Sequence, residues 1–207
     1  QCLLFADGGL LALGANIFNM AIVGTLSGYA VYRLIRRLVG GRHGLLMAAA
    51  FASWFSTVLA ASCCAGELAW SGTADWRAAF PAMANIHMLI GVGEGIITTL
   101  VLAAILRARP ELLEDIATTD QPRAGAGWIV YGLLVSLGLV LFVSPFASPW
   151  PDGLERVAGT LGFEQKALTT PLLAAPMTEY HVPGLGSPVA ATVLAGITGT
   201  IVAFILS

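Results

Sequence analysis

Charged side chains cut this sequence into long apolar stretches. Residues 8–32, 44–66, 124–151 and 182–207 contain no Asp, Glu, Lys, Arg or His, and residues 78–106 are interrupted only by His87 and Glu94. A helix needs about 20 mainly apolar residues to cross the hydrocarbon of a bilayer. The pattern therefore predicts five membrane helices, near residues 8–32, 44–65, 79–106, 127–147 and 187–206. The expected class is all-α, a polytopic membrane bundle. Helices are favoured over barrel strands because backbone groups in lipid must be satisfied within the segment. Continuous apolar runs also differ from the alternating pattern of an outer-membrane strand.

Composition agrees. Of the 207 residues, 57% are hydrophobic and 11% charged, against about 25% charged in an ordinary soluble domain. Mean hydropathy is +0.83. Too few polar groups are present to coat a soluble enzyme, and too many apolar ones for a disordered chain. A net charge of -2 offers no basic patch for phosphates, so nucleic acid is excluded as a partner. Membrane lipid is the expected surrounding.

The basic residues alternate between loops. Arg33, Arg36, Arg37 and Arg42 follow the first run, and Arg107, Arg109 and Arg123 follow the third. The intervening loops hold only Arg77, and Arg156 with Lys166. Basic loops face the cytoplasm, which puts the first residue outside and the last inside. In the second basic loop, Pro110 followed by Glu111, Glu114 and Asp115 suits the first turn of a short helix. The segment 148–181 is rich in Pro and is expected to be a long external loop. The chain starts Gln1-Cys2, without Met or a basic leader, so an N-terminal portion is expected to precede it. Cys2 is isolated and Cys63-Cys64 are adjacent. Neither has metal or redox spacing, and all three are expected to be apolar packers.

Several polar residues stand inside the apolar runs. Asn16, Asn19 and Met20 share one face at helical spacing. They suit either a polar pocket or interhelical hydrogen bonding. His87 and Glu94, two turns apart, share a stripe with Gly91. Ionisable groups within a bilayer face the bundle interior, so the pair suits either a site or a structural contact. Asp152-Gly153 after Pro151 is a turn signature, and Leu154, Val157, Leu161 and Phe163 would give the folded element that follows an apolar face. Gly24 with Gly28, Gly91 with Gly95, and Ala191 with Ala195 and Gly199 permit close helix contact. His43 and His181 fall in loops and are expected to have no role. No Walker A, GxSxG or HExxH sequence occurs, so ATP hydrolysis or other enzyme chemistry would lie on another protein.

The stretches LLFADGGLLALGANIFNMAIVG and IHMLIGVGEGIITTLV resemble the later helices of the CbiM/NikM family, the substrate-binding membrane components of cobalt and nickel energy-coupling-factor transporters. SPFASPWPDGLERVAGTLGF resembles the PDGLE-type companion component. The resemblance covers nearly the whole chain. It implies residues 1–123 as the C-terminal part of an M-type component and 124–207 as a PDGLE region with two helices flanking an external loop. It further implies a multi-pass protein of a bacterial or archaeal cell membrane, serving nickel or cobalt import and, for cobalt, cobalamin biosynthesis. The implied partners are a transmembrane coupling protein and ATP-binding cassette ATPases. Transported Ni2+ or Co2+ would be cargo, with no covalently bound cofactor. The family's Met-His-Ile-Pro-Asp-Gly and Gly-Thr-Ser-x-His metal sequences do not occur here. No complete metal site is therefore expected, and the chain alone should bind Ni(II) or Co(II) weakly or not at all. By the same resemblance, His87, Glu94, Asn16 and Asn19 line the pocket or support its ligands. Two other readings are a non-transporting structural subunit and a proton or cation pathway through Glu94 and His87.

Overall fold

Apolar runs too long for one face of a soluble domain form helices whose outward faces stay apolar. The computed structural model describes residues 2–6, 8–108, 127–146, 150–166 and 174–206. Helix α1 runs as Leu13–Asn16, a π-helical stretch Ile17–Gly24, and Thr25–Leu38. Then come α2 (Gly41–Trp70), α3 (Trp76–Ala108), α4 (Gly127–Phe142), α5 (Gly153–Leu161) and α6 (Pro188–Leu206). Strands are absent among the described residues. Three described helices, α2, α3 and α6, are long and apolar enough to cross a membrane, and Gly132–Phe146 is a shorter apolar helix. At 1.5 Å per residue, the 30 residues of α2 reach about 45 Å, beyond a hydrocarbon core of about 30 Å. Leu89 is 77% exposed on α3, as lipid contact requires. The protein is a multi-pass helical membrane protein.

Differences from the expected boundaries have local causes. Gly8 and Gly9 take positive φ values of 70° and 64°, so helix begins at Leu13 rather than residue 8. At its other end α1 absorbs Arg33, Arg36 and Arg37, whose long side chains reach polar surroundings while their stems stay on the helix. The first basic loop thus shrinks to Val39-Gly40. Arg36 Nη1 donates to the Gly41 carbonyl at 2.9 Å. A Cβ at Gly44 would lie 2.1 Å from the Val39 carbonyl oxygen, so this turn requires glycine there. Helix α2 extends past residue 65 to Trp70 and closes on Gly72 at φ 71°. The Thr73 N–H reaches the Leu68 carbonyl at 2.9 Å and the Gly72 N–H the Ala69 carbonyl at 3.1 Å, a Schellman ending. The short helix expected after Pro110 lies outside the described residues.

The chain forms two compact units. One comprises Gly14–Gln121 and Pro151–Ala167. Here α3 lies along α2 through small residues. A Cβ at Gly91 would come 3.1 Å from the Trp54 carbonyl oxygen, and one at Gly95 3.0 Å from that of Ala50. Trp54 Nε1 donates to the Met88 carbonyl at 3.1 Å. Gly91 and Gly95 are therefore spent on contact within the chain. Gly28 of α1 faces Ser56 of α2. Ala61, Ala65, Ala79, Met83, Val157, Ala158 and Phe163 form the buried core, which joins α5 to the α2–α3 pair.

The other unit comprises Gln1–Leu13, Pro122–Trp150 and Leu168–Ser207. Gly196 and Gly132 let α6 approach α4, receiving Val140 and Phe204. Phe5 seats against Gly199 and stacks on Tyr180 with ring centroids 4.7 Å apart. Backbone bonds from Met177 N to the Leu4 carbonyl and from Glu179 N to the Phe5 carbonyl tie the first residues to the stretch before α6. Cys2 is buried.

Candidate functional site

The Pro151-Asp-Gly-Leu-Glu155 sequence is a helix start. Asp152 is the N-cap of α5, and its carboxylate accepts from the Glu155 N–H at 2.8 Å. Glu155 returns the bond, accepting from the Asp152 N–H at 3.1 Å. This reciprocal capping box satisfies two amides that a free helix end leaves bare. At the far end Gly162, φ 73°, turns the chain so that Phe163 N reaches the Ala158 carbonyl at 3.1 Å. Phe163 and Val157 then enter the core, at 9% and 1% exposure. Leu161 is half-buried, while Leu154 stays 38% exposed and lies off the expected apolar face. The segment 148–181 is thus not simply an irregular loop. Lys166 Nζ, donating to the Thr73 carbonyl at 2.7 Å, fastens the end of this element to the α2–α3 turn.

Glycine at the third motif position has a steric cause. A Cβ on Gly153 would lie 2.7 Å from His87 Cε1, 2.8 Å from His87 Nε2 and 3.0 Å from Ile90 Cδ1. The first turn of α5 therefore sits directly on the imidazole. His87 Nδ1 is 2.8 Å from the Met83 carbonyl. A carbonyl can only accept, so Nδ1 carries the proton, and in the neutral ring Nε2 keeps its lone pair. The Nε2 edge of the ring is the one that lies against Gly153.

Glu94 does not join His87. Its side chain is exposed, and it accepts a hydrogen bond from Thr57 Oγ1 on α2. Glu94 is thus exposed in the chain as it stands but meets a polar group of the neighbouring helix. Gly91 and Gly95 occupy the α2 contact, and a carboxylate three residues past Gly91 reaches only its rim. It does keep a polar neighbour.

Asn19 is buried at 6% exposure, whereas Met20 is 62% exposed. Adjacent residues on a helix do not face the same way, and here the packing buries Asn19 and leaves Met20 outward; both lie in the π-helical stretch Ile17–Gly24. Asn16 is half-buried. Asn19 Nδ2 donates to Glu67 Oε2 at 2.8 Å, and Asn19 Oδ1 is buried with no hydrogen-bond partner among the described residues. Sequence reading missed Glu67 by ending the second helix at residue 65. The Ser71-Gly72 pair was the available stop signal. Glu67 borders a cavity of about 310 Å3 with Trp70 and Ser71.

His43 lies in the first turn of α2, exposed, rather than in a loop, and His181 is exposed. Among the described residues, no three His, Cys, Asp or Glu side chains gather into a group able to hold a metal ion. The larger groove, lined by Phe51, Trp54, Val92, Ile96 and Leu100 among others, is apolar and offers no donor set to a cation.

Comparison with known proteins accounts for both halves of the chain. Residues 1–112 match the CbiM family, a cobalt uptake substrate-specific transmembrane region, and residues 126–207 match the PDGLE domain. The chain is 35% identical over 211 residues to a putative fused nickel transport protein NikMN of Archaeoglobus fulgidus, covering all of this chain and 66% of that one. It is 35% identical to the fused nickel transport protein NikMN of Rhodobacter capsulatus, over 68% of this chain and 46% of the relative. It is 30% identical to the cobalt transport protein CbiM of Geobacter sulfurreducens, over 79% and 50% respectively. The chain thus spans roughly half to two thirds of the relatives it matches. No solved structure matches it. The segment bearing Asn19, Glu67, His87 and Glu94 falls inside the first match, and the helix capped by Asp152 and Glu155 inside the second; the chain belongs to the CbiM family of cobalt and nickel transport membrane components, carrying a PDGLE domain in the same polypeptide.

Proposed function

We propose that this chain serves an ATP-driven importer of nickel or cobalt, as the membrane subunit that captures the divalent metal from the outer side. ATP hydrolysis takes place on separate ATP-binding cassette ATPases, coupled through a transmembrane partner protein. The observation carrying this reading is the union in one polypeptide of a CbiM segment and a PDGLE domain whose helix α5 seats on His87. A companion element docked on the metal-handling helices suits a subunit that assists loading. The alternation of basic loops supports an external first residue and an internal last one, in a bacterial or archaeal cell membrane. His87, Asn16, Asn19 and Glu94 then act on the cargo as pocket lining or as support for its ligands, not as a complete metal site. Relatives named for both metals leave nickel and cobalt as alternatives for the uptake assay.

Uptake of radioactive nickel and cobalt by cells expressing the intact gene tests this. Accumulation that requires the partner ATPases is expected. Accumulation driven by an ion gradient without them, or none in their presence, would overturn the reading.

A further inference from the structure

We propose that Asn19 and Glu67 form a weak oxygen-ligand site for a divalent cation at the Trp70 end of α2. The proposal deepens the transport reading and rests on it, since the cation held in passing would be cargo. Asn19 is more than nine-tenths buried. Its amide nitrogen gives a hydrogen bond to Glu67 Oε2 at 2.8 Å. Flipping the amide would set its carbonyl against a carboxylate, two acceptors face to face, so the carboxylate fixes the orientation. The same constraint leaves Asn19 Oδ1 buried with no hydrogen-bond partner among the described residues. Native structures rarely leave such an atom unmet, and each case calls for an explanation.

A species that meets Oδ1 and also offsets the Glu67 charge must be a donor or a Lewis acid. Glu67 takes its side-chain hydrogen bond from neutral Asn19, and no described cation forms an ion pair with it. One carboxylate and one amide carbonyl are hard ligands for a divalent ion. They hold nickel and cobalt more loosely than imidazole or amine nitrogen does. Loose binding suits a staging position, which must release its ion. The cavity beside Glu67, bordered by Trp70 and Ser71, gives room for the water that such an ion keeps. Asn19 is the buried residue of the π-helical stretch Ile17–Gly24, and π turns are frequent at functional sites.

The test titrates the 207-residue chain, in lipid nanodiscs, with Mn(II) followed by electron paramagnetic resonance, and with Co(II) followed by its visible spectrum. Weak 1:1 binding with an oxygen-rich Co(II) spectrum is expected. Glu67→Gln and Asn19→Leu should each weaken it by about tenfold or more, and Glu164→Gln, an exposed carboxylate elsewhere, should not. Because Asn19→Leu could lose its fold, Asn19→Asp is measured beside it. Two facing carboxylates need the cation more, so this variant should bind more tightly and gain more thermal stability from Mn(II) than wild type. Binding unchanged by Glu67→Gln, or no gain in Asn19→Asp, would overturn the site. Absence of specific binding to wild type would overturn it too and leave an ordered water as the partner of Oδ1. Uptake by the intact gene product is scored separately. Uptake intact with binding indifferent to Glu67→Gln sinks the site alone, and uptake absent with binding as expected sinks the transport reading alone.

Discussion

Replacing Gly153 by Ala should partly detach the PDGLE helix from α3. The new methyl would stand 2.7 Å and 2.8 Å from two atoms of the His87 ring and 3.0 Å from Ile90 Cδ1, where real contacts are wider by most of an ångström. The ring cannot simply swing aside, because its Nδ1 is bonded to the Met83 carbonyl at 2.8 Å, a bond worth about 1 kcal/mol net. Overpacking of this kind costs about 1–3 kcal/mol. Alanine's better helix propensity returns at most about 1 kcal/mol, and less at the first position of a helix. The net loss is about 1–2 kcal/mol, or roughly a 5- to 30-fold rise in the undocked population. Hydrogen exchange of the α5 amides in nanodiscs reads that population directly. Gly159→Ala is the control: its Cβ would meet only Glu164 Oε2 at 3.5 Å, so protection should hold or rise. Pairing Gly153→Ala with His87→Ala should cost less than the sum of the single changes, since the smaller side chain removes the clash. Unchanged protection in Gly153→Ala, or strict additivity with His87→Ala, would refute the view that α5 rests on the imidazole.

Other outcomes follow from the same geometry. Asp152→Ala removes the N-cap acceptor for Glu155 N and should lower α5 protection by about 1 kcal/mol, with Asp152→Asn losing less in the same exchange experiment. Gly95→Val would drive a branched side chain into the Ala50 carbonyl, already 3.0 Å from a bare Cβ, and should destabilise the α2–α3 pair by about 1–3 kcal/mol; thermal unfolding in detergent measures it, and an unchanged midpoint would contradict the packing. In a background without the native cysteines, Leu38→Cys should resist a membrane-impermeant thiol reagent applied to intact cells, and labelling from outside would reverse the proposed orientation. Glu94→Gln keeps an acceptor for Thr57, so the intact protein should express normally; lowered metal uptake would then assign the carboxylate a part in transport, and equal uptake would confine it to packing.

The sequence by itself determined the class of the molecule. Charge-free runs exceeding 20 residues can be stable in lipid only as helices, so a helical membrane protein could be read without any contact, and α2, α3 and α6 stand where the runs of 44–65, 79–106 and 187–206 placed them. The turn signature at Asp152-Gly153 likewise marked the start of a folded element, and the structure makes that element a helix opened by a capping box, a local bond between residues three apart. Tertiary structure decided what each polar residue faces. A 3.6-residue repeat put Asn16, Asn19 and Met20 on one face, but Asn19 is buried while Met20 is exposed, and no periodicity argument contains the long-range packing that divides them. The same repeat put Glu94 with His87. Close approach of α2 at Gly91 and Gly95 instead gave Glu94 to Thr57 and left His87 to α5. Glu67 was hidden for a related reason. Only the fold brings it to Asn19, 48 residues away, and the physical cause is that a side chain's partner is set by which helices touch, which depends on side-chain volumes summed over whole faces rather than on spacing along one chain.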